Sequence, residues 1–208
     1  MQFEWNQIPF GPFVMRLTLP NYIVDRLYID GKEQLKNFSY ALAGHFNNQF
    51  IYNPDTTAWF YNEIGPIMKE FRNQHCKFLG FENLNVEYSG INLWVNFMKS
   101  GDFNPIHTHS GDLSFVIFLD VPKELQEEQS KYIGTSAPPG SLAFSYAIQA
   151  RPSWSNTGAI HIPKTGDMLI FPAMLQHWVF PFKSDVTRVS VSGNLEIDNR
   201  EKLPNDYF

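Results

Sequence analysis

One short stretch of this sequence, Gly166-Asp167-Met168-Leu169-Ile170-Phe171-Pro172, is followed five residues later by His177. Its glycine is a turn residue, its four consecutive apolar residues have the composition of a buried strand, and its proline begins a short loop, Pro172–Gln176. The stretch therefore predicts a short strand that runs into a loop and then presents a histidine.

The sequence on either side of this stretch has the same character. Between residues 90 and 195, short runs rich in β-branched and aromatic residues alternate with turn residues. They predict eight strands, at Ile91–Met98, Ile106–His109, Leu113–Leu119, Ser141–Tyr146, Ala159–Ile162, Met168–Phe171, Trp178–Phe182 and Val186–Leu195. Short strands at this spacing are typical of a β-barrel, a sandwich or a jelly roll.

The earlier part of the chain has a different pattern. Val14–Leu19 has the features of an edge strand, which can pair with a second copy of the chain to form a homodimer. Apolar residues at three- and four-residue spacing predict helices over residues 21–50. Asp55-Thr56-Thr57 predicts the N-terminal cap of a further helix, which ends near Gly80.

Length and composition limit the class of protein. The chain has 208 residues, 43% of them hydrophobic and 18% charged, which is typical of one globular domain. We expect that domain, residues 1–208, to consist of a helical support region at 1–89, a β core at 90–195 and a charged surface tail at 196–208. The formal net charge of −5 disfavours a nucleic-acid partner, because phosphate backbones attract basic proteins.

Cysteine content and hydropathy indicate the compartment. Cys76 is the only cysteine, which excludes an intrachain disulfide, a zinc site built from cysteines and a cysteine-ligated iron–sulfur cluster. The apolar runs are far shorter than the roughly 20 residues of a transmembrane helix. The sequence therefore predicts a cytoplasmic protein with no membrane partner.

Three of the six histidines are placed in a pattern that suits a metal. His107 and His109 form His-x-His at a predicted strand edge, where the two-residue period puts both side chains on one face. His177 follows the strand quoted above. Three imidazoles on β structure can converge on zinc, copper, iron or nickel, and three protein ligands leave coordination sites open for chemistry. We therefore predict a catalytic metal centre at these histidines.

Arg188 lies eleven residues after His177, in the predicted strand Val186–Leu195. On that strand Arg188, Ser190 and Ser192 share one face. An arginine among small hydroxyl residues near a metal can hold a carboxylate through two parallel hydrogen bonds. Arg188 is therefore a candidate carboxylate-binding residue.

These residues together resemble a known family, the non-haem iron, 2-oxoglutarate-dependent oxygenases. The similarity is to a branch with the pattern Gly…His-x-His…Ser, then Gly-x-x-x-x-Phe-Pro…His…Arg-x-Ser. In this sequence the pattern is formed by Gly101, His107-Thr108-His109, Ser114, Gly166–Pro172, His177 and Arg188-Val189-Ser190, with Leu93-Trp94-Val95-Asn96 and Asn194 also similar. The resemblance covers about residues 90–195.

The resemblance implies a mainly β fold with α-helices, in which a double-stranded β-helix, or jelly roll, is supported by N-terminal helices. It implies Fe(II) as the metal, with 2-oxoglutarate and O2 as co-substrates. His107 and His177 fall on iron-ligand positions, and Arg188 falls on the position that binds the distal carboxylate of 2-oxoglutarate. The implied reaction couples decarboxylation of 2-oxoglutarate to succinate with hydroxylation of a C–H bond. The resemblance thus predicts a hydroxylase, an oxidoreductase whose substrate the sequence does not identify.

The third metal ligand departs from the pattern of the wider family. That family uses two histidines and one carboxylate, with the carboxylate two residues after the first histidine. His109 stands at that place, and a three-histidine site would hold Fe(II) more weakly because it has one negative charge fewer. Asp112 is an alternative ligand, since Ser110-Gly111 forms a flexible turn before it. Side chains two residues apart on a strand lie on the same face. This favours His109, whose side chain is then on the same face as that of His107.

Two further residues are candidates for the 2-oxoglutarate pocket. Asn96, or its neighbour Phe97, occupies a strand position where related enzymes offer a polar or aromatic contact. Ser190 is an additional hydrogen-bond donor. The alternative for each is ordinary packing within a strand.

Two other functions fit part of the pattern. The spacing of glycine, histidine and proline also fits a cupin-type three-histidine metalloprotein, such as a dioxygenase, an isomerase or a binding module, although the glutamate of the cupin pattern is missing. A non-enzymatic jelly roll with an incidental metal is the other alternative. Binding of 2-oxoglutarate that depends on Arg188 would distinguish the oxygenase from both.

Overall fold

The computed structural model describes residues 11–33, 36–80, 86–146 and 158–198. Two predictions concern other parts of the chain. The loop Gln149–Thr157, one of the segments whose sequence makes them candidates to frame the substrate entrance, and residues 199–208 of the predicted tail lie outside the described residues.

The described residues form eleven β-strands and four α-helices. The strands are β1 (Met15–Thr18), β2 (Lys36–Asn37), β3 (Gln49–Ile51), β4 (Tyr88–Met98), β5 (Asn104–His107), β6 (Leu113–Asp120), β7 (Leu142–Ser145), β8 (Gly158–His161), β9 (Asp167–Pro172), β10 (Gln176–Val179) and β11 (Arg188–Ile197). The helices are α1 (Asn21–Asp30), α2 (Pro54–Glu63), α3 (Gly65–Leu79) and α4 (Lys123–Ser130), with a short 3-10 helix at Ser39–Ala41. None of these helices is long and apolar enough to cross a membrane. The predicted mainly β fold with α-helices is confirmed, and each of the eight predicted strands has a counterpart among β4 to β11.

The strands form two antiparallel sheets. The larger sheet has seven strands in the order β1-β9-β6-β11-β4-β3-β2, and the smaller has four in the order β5-β10-β7-β8. β1 lies at an edge of the larger sheet, as predicted for Val14–Leu19. From β4 onward the chain alternates between the two sheets, except that β7 and β8 are neighbours in the smaller one. As a result, residues of both sheets line one internal pocket.

The larger sheet has a helix-covered face and a pocket face. On β11, Val189 and Val191 belong to an apolar core cluster that also contains Phe60 of α2. The alternate residues Arg188 and Ser190 line the pocket. The two-residue period of the strand therefore separates residues that stabilise the fold from residues available for function.

The predicted helices over residues 21–50 are correct only for the first part of that range. α1 ends at Asp30, and the rest contains β2, the 3-10 helix and β3. Phe50 of β3 is the register partner of Val95 in β4. Pairing with a sheet overrides the local periodicity, because it satisfies backbone groups and buries side chains against neighbouring strands.

The second helical region begins earlier than predicted. Its cap is Asn53, whose side-chain oxygen accepts a hydrogen bond from the Thr56 N–H at 2.8 Å, so Asp55 lies within the first turn. The region contains two helices, α2 and α3, where one is predicted. Its end is as predicted, because α3 stops at Leu79 and Gly80 caps it with φ at +77°. At the other end of the chain, β11 continues to Ile197, into the predicted tail.

Candidate metal centre

Three histidines converge in the internal pocket. The ligand nitrogen atoms of His107, His109 and His177 all lie within 4.8 Å of one another. The ring centroids of His107 and His177 are 4.2 Å apart. The described part of the chain contains no other cluster of three or more potential metal ligands. The structure therefore brings together the three histidines that the sequence singles out.

Strand pairing and one tertiary hydrogen bond position these histidines. His177 of β10 lies directly opposite His107 of β5. Because β5 ends at His107, His109 follows the strand, whereas the predicted strand Ile106–His109 contains both. The His109 backbone N–H donates to the Ala173 carbonyl at 2.9 Å, in the turn that precedes β10. The convergence of the His-x-His pair thus depends on this contact as well as on local spacing.

Backbone acceptors determine how two of the imidazoles are protonated. His107 Nδ1 lies 2.7 Å from the Pro105 carbonyl oxygen, and His177 Nδ1 lies 2.8 Å from the Leu175 carbonyl oxygen. A carbonyl oxygen only accepts, so each Nδ1 carries the hydrogen and each Nε2 presents a lone pair. Metal-binding histidines usually have such an acceptor behind the ring.

Burial keeps the three imidazoles neutral. It lowers the pKa of His107, and it lowers the pKa of His109 to about 3 and the pKa of His177 to about 4, with the neighbouring imidazoles as a smaller cause. The rings of Phe171 and Trp94 contribute to this burial, at centroid distances of 4.9 Å from His177 and 5.7 Å from His109. Because neutral imidazole is the form that binds metals, no proton has to be lost at neutral pH.

Arg188 lies in the same pocket and is only 3% exposed. Its Nη1 donates to the Gly140 carbonyl at 2.7 Å and its Nη2 lies 3.0 Å from Met98 Sδ, while its Nε has no partner. No carboxylate of the described residues forms an ion pair with it. Burial lowers the pKa of Arg188 to about 10, so the side chain stays charged at neutral pH. A buried cation without a carboxylate is costly, which indicates a site for an anionic ligand.

Asn96 and Ser190 form part of the pocket wall. They are buried register partners on β4 and β11, and both line the pocket. Asn96 Nδ2 lies 3.5 Å from Ser190 Oγ and 3.4 Å from Ser192 Oγ, and Asn96 Oδ1 accepts a hydrogen bond from Gln49 Nε2 at 2.8 Å. Phe97 packs instead against the helix-side core. Of the two alternatives at this strand position, Asn96 faces the pocket.

Asp112, the alternative to His109 as a metal ligand, lies outside the histidine cluster. Its Oδ2 accepts a hydrogen bond from the Ile197 N–H at 2.7 Å. Its own N–H donates to the Leu195 carbonyl at 2.9 Å. The structure therefore places Asp112 against the end of β11 and His109 beside the other histidines.

Sequence analysis missed the part of the pocket that comes from the N-terminal half. Leu42, Gly44, Phe46 and Gln49 line the pocket. These residues precede or begin β3, in a range for which the local pattern predicts helix. They reach the site because β3 pairs with β4, and no local signal in the sequence indicates that pairing.

The sequence of residues 92–194, about half of the chain, matches one protein-family model, described as "Putative 2OG-Fe(II) oxygenase". These bounds agree with the region, about residues 90–195, whose sequence pattern resembles that of the non-haem iron oxygenases. His107, His109, His177 and Arg188 all lie within the matched region. No curated protein has a matching sequence.

The fold is similar to those of two prolyl hydroxylases and an epimerase of known structure. A viral collagen prolyl hydroxylase from Paramecium Bursaria Chlorella virus-1, solved with 2-oxoglutarate, has a TM-score of 0.56 and 15% identity, over 89% of this chain and 96% of that one. A Pseudomonas putida prolyl-4-hydroxylase has a TM-score of 0.55 and 16% identity, over 88% and 91%. The non-haem α-ketoglutarate-dependent epimerase SnoN from nogalamycin biosynthesis has a TM-score of 0.55 and 12% identity, over 88% and 78%. At these identities the likeness concerns the fold, and it confirms the predicted double-stranded β-helix.

Proposed function

Because this chain belongs to the family of 2-oxoglutarate- and Fe(II)-dependent oxygenases, we propose that it is a hydroxylase. The reaction converts 2-oxoglutarate and O2 to succinate and carbon dioxide while a C–H bond of the primary substrate becomes C–OH. One observation carries the proposal. Three neutral imidazoles share a pocket with a buried guanidinium that has no carboxylate partner among the described residues.

The three histidines hold Fe(II) in this proposal. The Nε2 lone pairs of His107 and His177 are available, and His109 Nε2 lies beside them. Imidazole suits Fe(II), and three protein ligands leave positions for the co-substrates. Because all three ligands are neutral, they do not compensate the charge of the metal. A bound dicarboxylate compensates it, so metal and 2-oxoglutarate should strengthen each other's binding.

Arg188 holds the distal carboxylate of 2-oxoglutarate. Its unpartnered Nε can donate a hydrogen bond to that carboxylate. The two opposite charges then compensate each other in the buried pocket. Asn96 and Ser190 line the same wall and offer further hydrogen bonds. The polar wall thereby orients the co-substrate between Arg188 and the histidines.

The surrounding residues protect the chemistry from water. Bound Fe(II), together with 2-oxoglutarate and O2, supplies the oxidising power needed for an unreactive C–H bond. The rings of Phe144 and Phe171 pack against His177, at centroid distances of 6.1 Å and 4.9 Å. Apolar rings at this position limit the access of bulk solvent and strengthen electrostatic contacts within the pocket.

Epimerisation is the second candidate reaction. The similar structures include an α-ketoglutarate-dependent epimerase as well as two prolyl hydroxylases. The two reactions differ in whether oxygen is incorporated into the product. Mass spectrometry of the product formed under labelled O2 separates them, since hydroxylation adds one labelled atom and epimerisation adds none.

We further propose that residues 1–208 act as one domain in the cytoplasm. The helices of the 1–89 region and the strands of the β core share one apolar cluster, which supports a single folding unit. Cys76 is buried and unpaired, which suits a reducing compartment. A homodimer formed through β1 stays a prediction.

An anaerobic titration tests the proposed function. Fe(II) and then 2-oxoglutarate are added to the wild type and to Arg188→Met, which keeps a similar side-chain volume. A 2-oxoglutarate–Fe(II) chelate gives a weak visible absorption band, which we expect in the wild type and not in the variant. Iron binding without the band would favour the cupin-type alternative, and failure to bind any metal would overturn the proposal.

A further inference from the structure

Two side-chain amide oxygens of the pocket lack hydrogen-bond partners. Gln49 is only 1% exposed, and its Oε1 is buried and unpaired. Asn104 Oδ1 is also buried and unpaired. An unpaired buried acceptor costs free energy, so native structures seldom keep one without a reason. Both residues line the pocket that contains the three histidines.

The two oxygens face the same point, although they come from different sheets. Gln49 lies on β3 of the larger sheet and Asn104 on β5 of the smaller sheet. A Cβ atom on Gly44 would lie 2.8 Å from Asn104 Oδ1 and 3.0 Å from Gln49 Oε1. The edge of the Phe46 ring borders the same point, since its Cε1 atom would lie 2.7 Å from that Cβ. Because residue 44 is glycine, the movable ring of Phe46 is the side chain that stands next to the two acceptors.

2-Oxoglutarate cannot pair with these acceptors. At neutral pH its carboxylates and its keto group offer only acceptor oxygens, whereas an amide oxygen needs an N–H or O–H donor. The partner of Gln49 and Asn104 is therefore a different molecule that shares the pocket with the co-substrate. No Asp or Glu is among the described residues that line the pocket, which favours a neutral donor over a cation.

We propose that Gln49 and Asn104 bind the primary substrate through a neutral hydroxyl or carboxamide group. This inference rests on the proposed function, because it assigns the second ligand of the same pocket. Gln49 Nε2 donates to Asn96 Oδ1 at 2.8 Å, so the group that binds substrate is connected to the wall that binds co-substrate. That connection orients the substrate relative to 2-oxoglutarate.

Gly44 and Phe46 lie beside these oxygens in this structure. The His45 N–H donates to the Phe103 carbonyl at 3.0 Å, which anchors residues 42–48 next to β5. A donor group reaches the two oxygens when Gly44 and Phe46 move aside. The unpaired acceptors beneath them lower the free-energy cost of that movement, because the substrate supplies the missing hydrogen bonds.

Acetamide and acetone are suitable probes, because they have nearly the same shape and only acetamide has N–H groups. Each is titrated into the full chain loaded with 2-oxoglutarate and Zn(II), a diamagnetic replacement for Fe(II), and backbone NMR shifts of residues 42–49 are followed. We expect acetamide to bind roughly three- to tenfold more tightly than acetone, as one or two neutral hydrogen bonds would give. Equal binding of the two probes would overturn the inference.

The variants Asn104→Leu and Asn47→Leu provide a matched comparison. Asn104→Leu removes one acceptor and should reduce the preference for acetamide, while its Tm stays equal or rises because an unpaired buried acceptor is gone. Asn47 is exposed, so Asn47→Leu should keep the preference. A preference that survives in Asn104→Leu would also overturn the inference. If Zn(II) and 2-oxoglutarate fail to bind, the proposed function fails separately, since the probe comparison can still be made on the metal-free chain.

Discussion

The Nε2 atoms of His109 and His177 lie 3.1 Å apart, a distance at which one nitrogen donates a hydrogen to the other. His177 carries its hydrogen on Nδ1, which faces the Leu175 carbonyl. The donor must therefore be His109 Nε2. This hydrogen bond links two of the three imidazoles. An ion held by all three histidines would need the Nε2 lone pair of His109, so the hydrogen of His109 would then have to lie on Nδ1.

Metal binding should change the tautomer of His109 alone. We expect 15N NMR of the imidazoles to show His107 and His177 with the hydrogen on Nδ1 in both states. His109 should change from the Nε2–H form to the Nδ1–H form when Zn(II) is added and return when the metal is removed by a chelator. An unchanged His109 spectrum would mean that this residue is not a ligand.

The stability of the metal-free protein should depend on pH through the buried histidines. The folded-state pKa values of His109, about 3, and of His177, about 4, lie below the ordinary value of 6.5. The unfolded chain therefore binds more protons, and the free energy of unfolding falls as the pH drops from about 6.5 towards 4. Thermal unfolding followed by circular dichroism should show Tm falling across this window.

His177→Gln identifies the titrating group in that experiment. This variant should show a shallower fall of Tm between pH 6.5 and 4, because one buried imidazole no longer resists protonation. His45→Gln, at an exposed histidine, is the matched control and should keep the slope of the wild type. The same slope in all three proteins would show that other groups cause the pH dependence.

The variant Arg188→Met should weaken the binding of 2-oxoglutarate without lowering the stability of the fold. The variant removes a buried charge that has no carboxylate partner among the described residues, so its Tm without 2-oxoglutarate should equal or exceed that of the wild type. The free energy of 2-oxoglutarate binding should become less favourable by about 2 kcal/mol or more, because the carboxylate loses its charged partner. Isothermal titration of 2-oxoglutarate into the Zn(II)-loaded proteins measures this difference. An unchanged affinity would contradict the role proposed for Arg188.

The variants Asp112→Ala and His109→Ala should change different properties: the first should lower stability, and the second should lower metal affinity. Asp112 accepts a hydrogen bond from the Ile197 N–H, so its loss should cost roughly 1–3 kcal/mol of stability and leave metal affinity unchanged. His109→Ala should weaken metal binding by more than about tenfold, since even loss of a residue that only supports a ligand has effects of that size. Urea unfolding and Zn(II) titration measure the two quantities. Loss of metal binding in Asp112→Ala would make the carboxylate the ligand after all.

The position of β3 illustrates where prediction from sequence fails. The periodicity of residues 21–50 predicts helix, yet Gln49 and Phe50 lie in a strand that pairs with β4. The free energy of that pairing comes from backbone groups and side chains some 45 residues away, as the partners Phe50 and Val95 show. A local pattern contains no information on such a pairing, and the pocket residues carried by β3 were missed for the same reason.

The sequence by itself determined the β core and the strand face on which its candidate site residues lie. The alternation of β11 places Arg188 and Ser190 on one face and Val189 on the other, because side chains of a strand alternate whatever it packs against. Only the tertiary structure decided which residue joins His107 and His177. His109 is held at the cluster by the Ala173 carbonyl, while Asp112 is held at the end of β11 by Ile197. Both are contacts between distant parts of the chain, and they exist only once the two sheets have come together.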